Sequence, residues 1–103
     1  EIIMNNQFIN KVCVIRANGA GFFFGEIIKQ DGDTVLVKDA RRLWYWDGAN
    51  SLSELAESGT SKPLSCKFPV IVGEVMIFKV LEIIKATDQA INSIKGVPTW
   101  KKS

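Results

Sequence analysis

Histidine is absent from this chain of 103 residues. Serine–histidine and cysteine–histidine nucleophile systems are thereby excluded, as are zinc sites built on imidazole. Cysteine is nearly absent: Cys13 and Cys66 stand far apart and in no metal-ligand spacing. Cys13 lies in an apolar run and reads as a small buried hydrophobe, and the low count fits a reducing compartment. Arginine occurs only as Arg16, Arg41 and Arg42. With a net charge of +2 and its lysines spread out, the chain is no dense basic coat for duplex nucleic acid. No apolar run approaches the ~20 residues of a membrane-spanning helix, so neither a membrane partner nor a secretory leader is expected. No carboxylate pair is singled out by its spacing. Catalysis is therefore disfavoured, and no metal or cofactor is expected.

What is present describes one folded unit. The length suits a single domain, and 47% hydrophobic with 23% charged residues is a globular composition. Residues 1–7 are read as a lead outside the domain, 8–100 as the domain, and 101–103 as a frayed tail. Phe8-Ile9-Asn10 is expected to make a short turn covering one end of the core. Lys11–Ala17 and Gly21–Gln30 are β-rich runs joined by the glycine-containing turn Asn18-Gly19-Ala20. Asp31-Gly32-Asp33 then supplies a tight hairpin into Thr34–Asp39. Near its start the second run is apolar on both faces: Phe22 and Phe24 on one, Phe23 and Ile27 on the other. A one-sided sheet does not need that, so a curled sheet, or a second face covered by a helix or another subunit, is expected. Gly25 inside this strand suits strong curvature or a close backbone approach.

A fourth strand is expected over Ala40–Trp46, followed by a capping box at Ser51-Leu52-Ser53-Glu54. There the Ser51 hydroxyl takes the Glu54 amide, and the Glu54 carboxylate reaches back to the Ser51 amide. The helix it opens ends at Gly59. Pro69 marks Phe68–Val72 as an edge or irregular piece, and Val75–Ala86 reads as one long bent strand. Thr87 caps a closing helix over Asp88–Lys95, with Asp88 and Lys95 matching its dipole, and Gly96 and Pro98 stop it. Trp100 is expected to fold back as a plug. The fold class is α+β: a small curled antiparallel sheet or partly open barrel of five to six strands, with two short helices.

Residues 39–55 concentrate the recognition chemistry. Three consecutive aromatics, Trp44-Tyr45-Trp46, cannot all face one side of a strand, so at least one faces a helix, a partner or a ligand. Each has a plainer account as a core residue, and each arginine as a solvated or ion-paired position. The functional account makes an aromatic a stacking platform for a base and a guanidinium fork a phosphate ligand. Alternation sends Arg41, Leu43 and Tyr45 one way and Arg42, Trp44 and Trp46 the other, so one arginine at most joins a given pocket. Arg16 joins whichever cluster the register allows, and Asn50 with Ser51 supplies hydrogen bonds at the helix start.

At DARRLWYWDGANSLSELA (39–56), CKFPV (66–70) and VLEIIKATDQAINSIKGVPTW (80–100), the chain resembles a family of small uncharacterised proteins from phages and prophages of Gram-positive bacteria. By size, architecture and arginine–aromatic chemistry it is more loosely similar to the Thoeris anti-defence proteins, oligomeric sponges that sequester cyclic ADP-ribose-type immune signals. That resemblance implies a homo-oligomer in the cytoplasm of the bacterial host, with nucleotide pockets between subunits. The expected function is non-enzymatic sequestration of a small phosphorylated nucleotide, with Arg16, Arg41, Arg42, Trp44, Trp46, Asn50 and Ser51 as candidate ligand-binding residues. The alternatives are a single-stranded nucleic-acid module and a protein that blocks a host defence enzyme.

Overall fold

The computed structural model describes residues 7–102. Five antiparallel strands form one sheet: β1 (Lys11–Ala17), β2 (Gly21–Asp31), β3 (Thr34–Arg42), β4 (Val72–Ile77) and β5 (Val80–Lys85), in the order β4-β3-β2-β1-β5. Helix α1 (Leu52–Ser58) lies between β3 and β4, and helix α2 (Asp88–Gly96) follows β5. This is the expected α+β class, with a small curled sheet that does not close into a barrel.

The order of the strands explains the curl. β4 and β5 are joined only through Phe78 and Lys79, yet they occupy opposite edges of the sheet. So short a link spans roughly 10 Å, and the edges must therefore approach each other at that corner. Backbone bonds lock the corner: the Val80 amide donates to Asp33 O at 2.8 Å and the Asn18 amide to Lys79 O at 2.9 Å. Lys79 adopts φ 57 there, in the left-handed region, which breaks the single long strand expected over Val75–Ala86 into two.

Both faces of the sheet are buried, for different reasons. The inner face holds Cys13, Ile15, Phe23, Ile27, Val37 and Ile77 among others, with Phe8, Ile9, Val75 and Ile83 against them. Every strand contributes to this core and neither helix does, so the curl of the sheet, with Phe8 and Ile9 of the turn before β1, covers it. The outer face packs Val14, Phe24, Leu43 and Phe68 against Leu55 and Ala56 of α1 and Ala90 and Ile94 of α2. The two apolar faces of β2 are thus accounted for within one chain. The cysteines fall into different cores and both are free.

One irregularity sets the parity of β3. Phe24 pairs with Arg41 and Glu26 with Lys38, so Asp39 and Ala40 together oppose Gly25. Asp39 takes φ 52, which aspartate tolerates better than most residues. A Cβ on Gly25 would meet Val37 Cγ1 at 2.5 Å, Lys38 O at 3.0 Å and Ala40 Cα at 3.1 Å, the close approach anticipated for this glycine. Beyond the extra residue, side chains change sides. Val35, Val37 and Ala40 face the inner core, and Arg41 turns to the helices. The expected third and fourth strands are one strand ending at Arg42, and past it only Tyr45 pairs, in an isolated bridge with Lys67. Phe68–Val72 likewise makes no ladder before Val72, consistent with Pro69 lacking a donor.

Both helix starts follow their local signals. Ser51 Oγ accepts from the Glu54 amide at 3.1 Å and Thr87 Oγ1 from the Ala90 amide at 3.1 Å. The Glu54 carboxylate accepts from the Asn50 amide at 2.8 Å rather than from the Ser51 amide. Gly59, at φ 75, ends α1 as expected, and α2 runs one residue further, through Gly96. Among the described residues no helix is long and apolar enough to cross a membrane.

Two substitutions test this account. Gly25→Ala is expected to lower stability by roughly 1–3 kcal/mol in urea unfolding, since backbone as well as a side chain must move. The second concerns Cys13, whose thiol is pushed up from 9.0 to about 11 by burial, with Lys85 and Lys11 acting in the opposite direction. The folded state therefore holds this proton after the unfolded chain has released it. Stability conferred by the thiol is intact below pH 9 and falls by roughly 3 kcal/mol as pH rises to about 11. Urea titrations of wild type and Cys13→Ala across that window should show the loss in wild type and its reduction in the variant.

Candidate functional site

The adjacent arginines face opposite sides of the strand, as alternation implied, and they have different roles. Arg41 is only 2% exposed. Its Nη1 donates to Ile94 O at 2.8 Å, its Nη2 to Val97 O at 2.7 Å and Phe68 O at 3.2 Å, and its Nε to Pro69 O at 3.2 Å. Four of the five N–H groups of a guanidinium are thus directed at backbone carbonyls. Its carbon centre lies 5.5 Å from the Phe68 ring centroid. Two of the carbonyls belong to the C-terminal end of α2, where a cation is favoured by the helix dipole. Burial lowers the guanidinium's pKa from its ordinary value, with Cys66 acting in the opposite direction. The expectation of Arg41 as a phosphate ligand is thereby corrected: its fork is enclosed by carbonyls and solvent does not reach it.

Arg42 emerges on the other side. Its guanidinium lies 4.5 Å from the Phe23 ring centroid, and its Nη1 donates to Ala20 O at 2.8 Å. Among the described residues its Nε and Nη2 have no protein acceptor, and the side chain is exposed. A guanidinium stacked on a ring and tied to a turn carbonyl loses less freedom when it binds an anion than a free lysine would. Beside it lies a cavity of about 500 Å³ lined by Ala20, Gly21, Phe22, Arg42, Leu43 and Trp44. Trp44 is 64% exposed, an unusual position for so large an apolar ring. A second hollow of about 240 Å³ lies against Arg42, between Phe23 and the Pro69–Val72 segment. A third cavity, of about 510 Å³, runs along Ile28, Leu36 and Met76. It is as large as the first, but Lys29 and Asp31 both line it and no aromatic ring does. The Arg42–Trp44 cavity is the one that pairs an accessible cation with an accessible ring.

The remaining candidates are dispersed. Arg16 is ion-paired with Glu82 at 3.1 Å on the β1–β5 pair and does not line the cavity. Trp46 turns inward and packs edge-on against Phe22, with ring centroids 5.2 Å apart. Its parity with Trp44 is lost because the strand has ended before it. Asn50 and Ser51 remain exposed at the start of α1, where Ser51 caps the helix and the Asn50 amide is held by Glu54. Neither lines the Arg42–Trp44 cavity.

Sequence reasoning missed two neighbours. Trp100 does fold back, but it rests half-buried at the surface, its ring 5.5 Å from that of Trp44, with its amide donating to Phe68 O at 3.0 Å. Lys67 Nζ lies 5.6 Å from the Trp100 ring centroid and 5.9 Å from that of Tyr45. Trp100 offered a signal, since a tryptophan just after the helix-stopping Pro98 needs a surface to rest on. Lys67 offered none, because its place depends on the bridge to Tyr45.

Residues 10–94 match the model of a protein family described as Domain of unknown function (DUF6948). The chain belongs to this family. No curated protein and no solved structure matches it. Family membership therefore adds no activity to what the site shows.

Arg41→Lys provides the test of its structural role. A lysine keeps the charge but has three donors on one nitrogen, leaving at least one of the four carbonyls without its side-chain donor, at roughly 1–3 kcal/mol. The variant should unfold at distinctly lower urea concentration than wild type. Arg42→Lys, at an exposed position, should unfold close to wild type.

Proposed function

We propose that this protein is a non-enzymatic binder of a small phosphorylated nucleotide, held between Arg42 and Trp44. One observation carries the reading: a fixed guanidinium with free donors and a largely exposed indole border the same cavity of about 500 Å³. The guanidinium suits phosphate, the indole suits a base, and the volume lies within the ordinary range for small-ligand sites. The resemblance of 39–56 and its companion motifs to phage proteins supports a role in sequestering a cyclic nucleotide or cyclic ADP-ribose-type immune signal in the host cytoplasm. Assembly into a homo-oligomer belongs to the same proposal, and the exposed apolar residues Ile71, Val72, Met76 and Phe78 on and beside edge strand β4 support it. A single-stranded nucleic-acid module is the second reading, favoured by the position of Lys67 among exposed rings.

Calorimetric titration with cyclic ADP-ribose isomers and cyclic di- and trinucleotides tests the proposal. At least one should bind saturably. Trp44→Ala should weaken it by roughly 5- to 150-fold, the equivalent of about 1–3 kcal/mol for one stacked base, and Arg42→Gln by a similar factor. The nucleotide should be recovered intact after denaturation of the complex. Absence of binding by the whole panel would sink the proposal, and recovery of a cleaved product would replace binding with catalysis.

A further inference from the structure

Beyond Trp44 the exposed surface continues as a second set of rings and a cation. Tyr45 and Lys67 are fastened to each other through their backbones, with the Lys67 amide donating to Tyr45 O at 2.8 Å and the Tyr45 amide to Lys67 O at 3.4 Å. The Lys67 ammonium stands between the Tyr45 and Trp100 rings, at 5.9 and 5.6 Å from their centroids. Trp100 in turn meets Trp44 at 5.5 Å with an interplanar angle of 63°. Tyr45 is 49% exposed. Three distant pieces of chain therefore build one strip: Arg42 and Trp44, then Trp100, Lys67 and Tyr45.

The geometry limits how a ligand can use this strip. Admitting a base between two rings needs about 7 Å, two stacking steps of ~3.4 Å, and the Trp44–Trp100 pair is closer than that and far from parallel. The tryptophans are thus no clamp for one base. They form a corner, with the Arg42 cavity on one side and the Lys67–Tyr45 pair on the other. Each side offers the same two elements, a cation for phosphate and an exposed ring for a base.

Building on the nucleotide-binding reading above, we infer that the ligand is a dinucleotide unit, two bases joined through phosphate, whose second nucleotide lies on Lys67 and Tyr45. This chemistry is shared by a closed cyclic dinucleotide and by two adjacent residues of a single strand. The first nucleotide occupies the Arg42–Trp44 cavity, and Trp100 fixes the Lys67 ammonium in line with it.

The experiment is a fluorescence titration of the intact protein with adenosine 5′-monophosphate, linear diadenylate, cyclic diadenylate and a ten-residue adenylate strand. At least one two-base ligand should bind ten-fold or more tightly than the mononucleotide. In Lys67→Gln that ratio should fall to within about two-fold of unity, whereas Arg42→Gln should weaken both ligand types. Lys67 is exposed, and thermal melting of the variant checks that it folds. Tightest binding by the cyclic form identifies a closed signal. Tightest binding by the strand, falling steeply with salt, identifies nucleic acid; either supports the two-unit site. Equal affinity for one and two bases, or a preference that survives both Lys67→Gln and Tyr45→Ala, overturns the inference while leaving the Arg42–Trp44 site standing. Failure of every ligand here overturns the inference, and failure of the calorimetric panel as well overturns both.

Discussion

The buried guanidinium of Arg41 is the contact on which the outer half of the molecule depends. It joins the end of β3 to the carbonyls that close α2 and to the Phe68–Pro69 segment, three elements with no ladder among them. Burying a cation without partners is prohibitive, so its four carbonyl acceptors are as necessary to the arginine as it is to them. One of them, Val97 O at the cap of α2, has Arg41 as its donor, whereas Ile94 O also accepts the Val97 amide. Phe68, Leu43 and Ile94 pack around the same point, all fully or almost fully buried. Hydrogen bonding and apolar burial here are one structure, since loosening either exposes the other.

That anchor also determines where the accessible chemistry lies. Arg41 is turned toward the helices by the extra residue at Asp39, opposite Gly25. The next residue, Arg42, is thereby committed to the other side, where Phe23 and Ala20 O hold it. Past Arg42 the strand stops, which releases Trp44 and Tyr45 to the surface and lets Trp46 turn onto Phe22. The Phe68–Pro69 segment held by Arg41 carries Lys67 into place beside Tyr45, and Phe68 O accepts the Trp100 amide. A fully buried arginine thus positions the rings and cations of the proposed nucleotide surface without touching a ligand.

Neighbouring residues were sufficient to reveal much of this chain. The bounds of β1, the Asp31–Asp33 hairpin, the Ser51 and Thr87 caps, the stop at Gly59 and the tight approach at Gly25 all rest on interactions within one or two turns of chain or on the steric freedom of one residue. The two apolar faces of β2 correctly required cover on both sides, and the opposed directions of Arg41 and Arg42 follow from the pleat.

Other features depend on partners far away in the chain. Whether residues after Asp39 extend β3 or begin another strand depends on β2, whose Phe24 pairs with Arg41 across the bulge. The break at Phe78-Lys79 follows from β4 joining β3 while β5 joins β1, a choice of edges that alternation does not encode. For the paired arginines the difference is greatest. Adjacent and identical in the sequence, they become a fully enclosed anchor and an exposed guanidinium because one meets the end of a helix and the other a phenyl ring and open solvent. The pleat makes the two point opposite ways; the bulge against β2 decides which of them meets the helices, and long-range packing sets what waits there.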